Sequence, residues 1–379
     1  MEPAGVRERL EHVAAANGFD AVGFTRLVPT EREAEYRAWL DRGDHAGMEW
    51  LGRNLERRFD PRRQFEGARS AMVVAVRYHP LADQDGVGGD LWPKVAKYAR
   101  GRDYHRVIER GLGRCAEALL EEVPGAMARW YVDHGPVLER ELAARAGLGW
   151  VGKHTLLLSR ELGSWFLLGE LFTDVDLGES EQATDLCGRC TRCLDACPTG
   201  ALPEPYRVDA RRCISYWTIE HRGAIPAELR DRFEGWVFGC DICQDACPWN
   251  ARRREPADHP ELGLPDRRRE LDLVSLVALD QQGFEQRFAG SAMMRPKRVG
   301  MQRNAVLAMA HHGERYREPL RRVVLEHPEP LVRQHAVWAL GQLGDDGPDA
   351  VLVRALEQEP EAEVRAEIQA VLARARSSP

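Results

Sequence analysis

Long apolar runs are missing from this chain of 379 residues: no stretch of about 18 uninterrupted apolar residues occurs, so no membrane-spanning helix is expected. A secretion signal is missing too. Glu2, Arg7, Glu8, Arg9 and Glu11 stand where such a signal needs its apolar centre, so export is not expected and the expected compartment is the cytoplasm. Positive charge is short as well, with 53 Lys and Arg against 60 Asp and Glu and a net charge of −7. A global cationic field therefore cannot hold nucleic acid, and any such contact has to be local. No G-x-G-x-x-G opens a helix after a strand, and neither G-x-x-x-x-G-K-[ST] nor H-E-x-x-H occurs. Dinucleotide binding, nucleotide hydrolysis and zincin chemistry drop in rank accordingly. What is present is an ordinary globular composition, 44% hydrophobic and 30% charged, long enough for two or three domains.

Cysteine is scarce but concentrated. Of nine, eight lie between 187 and 247, and seven of these form two runs, Cys187-x2-Cys190-x2-Cys193-x3-Cys197-Pro198 and Cys240-x2-Cys243-x3-Cys247-Pro248. A chain kept in a reducing compartment has little use for a disulfide framework, so metal ligation leads. The first run matches the bacterial ferredoxin pattern, in which three close thiolates grip one [4Fe-4S] cube and the fourth, before proline, ligates the other. The second run has Val237 in place of its first cysteine, and Cys213 fills the gap. The count closes with Cys187, Cys190, Cys193 and Cys247 on one cube and Cys197, Cys213, Cys240 and Cys243 on the other. Zinc on paired CxxC motifs is the competing reading, but it leaves the third cysteine of the first run without a purpose. Cys115 stands apart, in a segment of helical apolar spacing, and reads as a buried structural thiol.

The fold class is α+β in three parts. Residues 1–180 form an α+β domain in which SAMVVAVRYH and GSWFLLGELFTDV read as strands, while RVIERGLGRCAEALLEEV and GPVLERELAARAG read as helices. Residues 181–290 are a ferredoxin-like domain for two [4Fe-4S] clusters. Residues 291–379 carry an internal repeat: RNAVLAMAHHG from 303 and RQHAVWALGQLG from 333 share a pattern that VRAEIQAVLAR begins again at 364. Helix pairs at such a period mark a HEAT-like solenoid, an all-α docking surface. A plain helical cap is the alternative.

From Ser291 to His335 there are nine Lys or Arg against four Glu, and Arg295, Lys297, Arg298 and Arg303 come with no acid between them, as a phosphate-tracking strip would. From Asp345 to Glu363 seven acids accompany one Arg, and this segment should face away from nucleic acid.

Together, YARGRDYH, VDHGPVLER, GLGWVGKHTLLLS, GSWFLLGEL, CGRCTRCLDACPTGAL, RCISYWTIEHRG, GCDICQDACPWN and the HEAT-like tail resemble the epoxyqueuosine reductase family over nearly the whole chain, in order. The ferredoxin runs alone are shared by many redox proteins; VDHGPVLER and RCISYWTIEHRG make the likeness specific. The resemblance implies an enzyme that reduces the epoxide of epoxyqueuosine at the wobble position of tRNA anticodons. It further implies a cobalamin in the amino-terminal domain, fed by the two clusters, with the tail holding tRNA and a reductant protein supplying electrons to a monomer. No D-x-H-x-x-G motif is present, since Ile108 stands where its glycine would fall after Asp103 and His105. The corrinoid is therefore expected to be held without a histidine from that motif.

By the same resemblance Asp133 is the proton donor and approaches the corrinoid, as do Arg57, Lys97, His154, Thr155, Ser215, Tyr216 and Asp241; Tyr104 and His105 stack on or hydrogen-bond the flipped-out base. Each has a plainer alternative. Asp133 could cap a helix, since Pro136 and Glu139 follow it, and Tyr104 and His105 could simply start one. Two other functions compete: a reductive dehalogenase using a similar corrinoid and cluster pair, and a non-catalytic iron-sulfur electron-transfer protein.

Overall fold

β-Branched and small apolar residues alternate between two buried faces in Ser70–Arg77, and this segment pairs on both sides in the principal sheet. The computed structural model describes residues 3–78, 90–251, 259–344 and 350–377. Strands β1 (Ala21–Arg26), β2 (Ser70–Arg77), β3 (Ala128–Tyr131) and β6 (Phe166–Thr173) form an antiparallel sheet in the order β1-β2-β6-β3. The short pair β4 (Trp150–Val151) and β5 (Leu157–Leu158) makes a separate hairpin. Each expected strand segment contains a strand, Ser70–Arg77 in the first and Phe166–Thr173 in the second, shorter than the segment at its ends; His79 of the first lies outside the described residues.

Side-chain alternation gives the sheet two different coverings. Gly169 of β6 faces the Tyr104–Glu122 helix, where an added Cβ would stand 2.5 Å from Ile108, so this close approach admits no side chain. Cys115 lies in that helix and is fully buried, as its spacing suggests. The opposite face, with Ala71, Val73, Ala75, Phe166 and Phe172, packs against Leu142 and Ala143 of the Glu139–Arg145 helix. Burial of these side chains, each worth roughly 1.5–3 kcal/mol when a large one is fully enclosed, fixes the register of the sheet. Glu170 projects to this apolar face, because it alternates with Leu168 and Phe172 and pairs with Val73 and Tyr131.

The chain divides into two compact units that do not follow the sequence segments. The first comprises residues 1–82, 101–211 and 241–263; the second comprises 83–100, 212–240 and 264–379. In the second, the helices Lys297–His311, Pro330–Gln342 and Ala362–Ser377 pack successively, with Arg317–Glu326 and Ala350–Gln358 as the other members of the pairs. Two-layer stacking of helix pairs is the arrangement that the repeat predicts. The arginines that open the first two repeats, Arg303 and Arg333, are buried in it, and Arg333 forms an ion pair with Glu359 at 2.6 Å. Of the acidic segment, Asp345, Asp346 and Asp349 lie outside the described residues. No helix among the described residues is long and apolar enough to cross a membrane.

Candidate active site and cluster ligands

The Asp133 loop follows β3. Asp133 adopts a left-handed backbone, φ 51°, and Gly135 does so at φ 93°, where an added Cβ would press to 2.7 Å from the Tyr131 ring. A non-glycine residue at positive φ persists only where its surroundings hold it. Two contacts do so. The Asp133 amide donates to Glu139 Oε1 at 2.5 Å, and the Tyr104 hydroxyl donates to Asp133 Oδ2 at 2.5 Å. Asp133 caps nothing: the helix begins at Glu139 with Leu138 as its N-cap, so the capping alternative falls. Its carboxyl remains exposed.

Tyr104 and His105 do start a helix, capped by Asp103, whose Oδ1 accepts the His105 amide at 3.1 Å and lies 2.7 Å from His105 Nδ1. They also do more. Tyr104 is buried, stacks on His105 with centroids 4.2 Å apart, and turns its hydroxyl to Asp133. Burial disfavours the His105 cation, but the hydrogen bond and charge of Asp103, helped by Asp133 and Glu109, hold its pKa above the ordinary value.

His154 and Thr155 occupy the β4–β5 turn, closed by Thr155 N donating to Gly152 O at 2.8 Å, with Thr155 at φ 70°. His154 is 3% exposed. Burial, reinforced by the charge of Arg140, lowers its pKa to about 4, so the ring is neutral at pH 7. Its Nδ1 accepts the Leu156 amide at 3.2 Å, which puts the ring proton on Nε2. That Nε2 and the Nε1 of Trp150 on β4 are buried and have no protein partner. Two dry N–H donors without acceptors suit the amide side arms of a corrinoid. Arg57 is exposed, and Asp241 is buried at the start of the Ile242–Asp245 helix, both in the first unit. Lys97, Ser215 and Tyr216 are half-buried and belong to the second unit.

All nine cysteines are free. Cys187, Cys190, Cys193 and Cys247 all lie in the first unit. The short helices Arg192–Asp195 and Ile242–Asp245 pack together there. Burial raises the Cys193 thiol to about 11, with the charges of Cys247 and Cys187 adding to it. Cys247 is likewise raised by burial, against the amides of Trp249 and Asn250, and it feels Cys187 and Cys190. Cys247 also packs with Cys187 and Trp249 against Trp150 and Leu158. These four thiols therefore share one apolar neighbourhood, and the donor set is the one a cube requires. Among the described residues, no three His, Cys, Asp or Glu side chains gather as ligands of a single ion. Of the other four cysteines, Cys197 and Cys243 belong to the first unit and Cys213 and Cys240 to the second. Cys197 Sγ accepts the Ala201 amide at 3.3 Å.

Sequence reasoning missed the scaffold around these thiols. Lys153 Nζ donates to the carbonyls of Gly188 and Cys190 at 2.6 and 2.9 Å, pinning the ligand loop. Buried Asn250 accepts the Ser164 amide at 2.7 Å and donates to Ser164 Oγ and Gln244 O, both at 2.8 Å, tying GSWFLLGEL to the second cysteine run. The polar Trp-Asn after Cys-Pro was the available signal. A cleft of about 380 Å³ lined by Arg102, Arg106, Glu109, Arg110 and Trp130 was likewise not foreseen.

The basic strip needs correction. Arg303 is 0% exposed; its guanidinium donates to the carbonyls of Trp217, His221 and Gly223 at 2.6, 3.0 and 2.7 Å. Asn304 beside it donates to Thr218 O and Val237 O at 2.9 and 2.8 Å. Arg303 is thus an internal clamp on the segment that follows Cys213, with no donor left for phosphate. Arg295 is exposed and paired with Glu220, Arg298 is paired with Glu329, and Lys297 is exposed at φ 66°.

Three family models match: epoxyqueuosine reductase QueG (DUF1730) over residues 58–134, a 4Fe-4S double cluster binding domain over 186–250, and HEAT repeats over 294–373. An epoxyqueuosine reductase of Xanthomonas campestris pv. campestris is 38% identical over 350 residues, covering 90% of this chain and 98% of its own. The chain belongs to the epoxyqueuosine reductases. A crystal structure of an epoxyqueuosine reductase with an epoxyqueuosine-modified tRNA-Tyr stem loop superposes with a TM-score of 0.87 at 29% identity, covering 99% of this chain and all of that one. The Bacillus subtilis enzyme, with its catalytic aspartate loop swung out of the active site, gives 0.88 at 28% identity, covering 98% and 99%. As an epoxyqueuosine reductase the chain is an oxidoreductase, and it carries the double [4Fe-4S] module with a HEAT-repeat tail.

Proposed function

We propose that this chain binds the anticodon arm of tRNA and reduces the epoxide of its wobble epoxyqueuosine to give queuosine, with Asp133 as the proton donor. One observation carries the reading: an exposed carboxyl is held in a left-handed turn by Tyr104 and Glu139, in the same compact unit as the Cys187, Cys190, Cys193 and Cys247 thiols. Cluster binding by the eight cysteines is assigned as their spacing indicates, Cys197, Cys213, Cys240 and Cys243 holding the second cube.

Cobalamin, when bound, supplies the two-electron chemistry that single-electron clusters lack. His154 Nε2 and Trp150 Nε1 are suited to donate to its side arms, with Arg57, Thr155 and Asp241 as further contacts. Asp133 delivers a proton to the oxygen as the ring opens. Tyr104 fixes the carboxyl through Oδ2, and His105, kept cationic more readily by Asp103, offers a positive face to an RNA base. The working compartment is the cytoplasm, the enzyme acts as a monomer, and a separate reductant protein feeds the clusters.

Reduced holoenzyme is expected to convert epoxyqueuosine in tRNA and to leave the free nucleoside and an organohalide largely unchanged. Organohalide turnover without tRNA turnover would overturn the proposal in favour of the dehalogenase chemistry.

For the tail, Lys297 and Arg295 are the candidates for phosphate, and Arg303 is not. Lys297→Ala should lower the salt slope of tRNA binding by about 1. Arg303→Met should instead strip the Trp217, His221 and Gly223 carbonyls of their donor and destabilise the fold by about 1–3 kcal/mol. Salt titrations of binding, set beside melting curves, check both expectations.

A further inference from the structure

Removing an epoxide oxygen as water consumes two electrons and two protons, whereas one carboxyl carries one proton at a time. Asp133 must therefore be reloaded within each turnover. What lies behind it bears on how. Glu170, in the middle of β6, is 0% exposed, and neither of its carboxyl oxygens has a hydrogen-bond partner. It projects to the sheet face that packs on the Glu139–Arg145 helix. Glu139 opens that helix, one turn before Leu142 and Ala143, and its Oε1 already touches the Asp133 amide. Asp133, Glu139 and Glu170 thus belong to the exposed loop, to the helix start that holds it and to the sheet face that this helix covers.

We propose that Glu139 and Glu170 form a proton store that recharges Asp133, and that Glu139 also latches the Asp133 loop through its amide. The idea rests on Asp133 being the donor. In the step, Asp133 gives its proton to the alkoxide formed as the first C–O bond breaks; an O–H bond on Glu139 then breaks as one forms on Asp133, the reloaded Asp133 protonates the hydroxyl that departs as water when the second C–O bond breaks, the clusters having supplied both electrons, and Glu170 refills Glu139. Water at the exposed end of Asp133 restores the store between turnovers.

The electrostatics agree with the geometry. Burial raises the Glu170 pKa well above the ordinary value, with Glu139 and then Asp133 pushing the same way. Burial and Asp133 likewise raise Glu139, to about 8, against its hydrogen bond from the Asp133 amide and the charges of Arg140 and Arg58. The surroundings supply little else that titrates. The Leu55–Phe59 helix contributes Arg58, whose Nη1 is used on Val137 O at 3.3 Å; β3 contributes Tyr131, bonded to Gln64 at 3.1 Å; and β2 contributes the apolar Val73. Glu139 therefore keeps its proton at neutral pH, where an isolated glutamate would not, and Glu170 is shifted in the same direction.

A Glu170 kept for the fold would lower the melting temperature when replaced, whereas a buried carboxyl without partners should be replaceable by an apolar side chain of similar size with no loss of stability. Reconstituted holoenzyme is the test material, with Glu139→Gln, Glu170→Gln and Glu170→Met. Infrared difference spectra at pH 7 should contain a protonated-carboxyl band in the parent protein that both Glu170 variants lack. Glu170→Met should melt no lower than the parent. Single-turnover reduction of epoxyqueuosine-bearing tRNA should slow by about 10-fold or more near pH 7 in all three variants; the gap to the parent should close above pH 8, where Glu139 itself loses its proton, and narrow near pH 6, where solvent protons are plentiful. A missing band, or pH profiles that superimpose on the parent's, would overturn the store. Asp133→Asn separates the two ideas: full turnover in that variant removes the donor itself, whereas lost turnover alongside unchanged Glu139→Gln and Glu170→Gln profiles removes only the store.

Discussion

Cys247→Ser should leave protein that binds one cluster instead of two, with iron falling from about 8 to about 4 atoms per chain. The expectation follows from where Cys247 sits. It is buried against Cys187, Trp150 and Leu158 and interacts with Cys187 and Cys190, although those lie almost sixty positions away in sequence. A serine oxygen in that dry, sulfur-lined setting is a poor substitute ligand for iron. Cys243→Ser should also halve the iron, but by removing the other cube, so the two variants should leave clusters with distinguishable electron paramagnetic resonance signals. Turnover should fall by at least about 100-fold in each, because an interrupted relay cannot be replaced by proximity alone. Cys115→Ser is the control: its thiol is buried in a helix away from the runs, burial raises it to about 12, and iron content should not change. If Cys247→Ser and Cys243→Ser emptied the same cube, the interleaved assignment would be wrong.

Asp133→Asn should lower turnover by about 10²–10⁴ while leaving the visible spectra of clusters and corrinoid intact. Asparagine is the informative replacement. It tolerates the left-handed backbone at φ 51°, keeps the side-chain volume, and can still accept from the Tyr104 hydroxyl, so the loop stays where it is while the exchangeable carboxyl proton is lost. Alanine would mix that loss with backbone strain. tRNA affinity, read from binding isotherms, should change little, since a carboxyl offers phosphate no attraction. Undiminished turnover in Asp133→Asn would refute the role.

These residues differ in how far the sequence revealed them. The cysteines were legible because a cube needs thiolates at fixed short intervals, and loop geometry allows few spacings. The strands over Ser70–Arg77 and Phe166–Thr173 were legible because buried strands demand nearly continuous apolar runs. Arg303 was misread for an equally physical reason. A charge in a basic run looks solvated, and the carbonyls that satisfy this one come from residues some eighty positions earlier, a pairing that no local pattern encodes. Glu170 went unremarked inside GSWFLLGELFTDV because its meaning depends on which face of β6 it occupies, and hence on the register with β2 and β3. His154 sits between these cases: its segment was singled out, but its unpartnered Nε2 follows only from the turn that commits Nδ1 to Leu156.

The first compact unit is assembled from three separate stretches of chain, the last of them residues 241–263. A ribosome must therefore release roughly two thirds of the polypeptide before that unit can close, and Cys247 arrives long after Cys187, Cys190 and Cys193 have emerged. Until then the three early thiols are exposed to oxidants and to adventitious metals. Overproduction under aeration should accordingly yield more colourless, aggregated material than slow anaerobic synthesis, and shortened versions ending before 263 cannot serve as minimal enzymes.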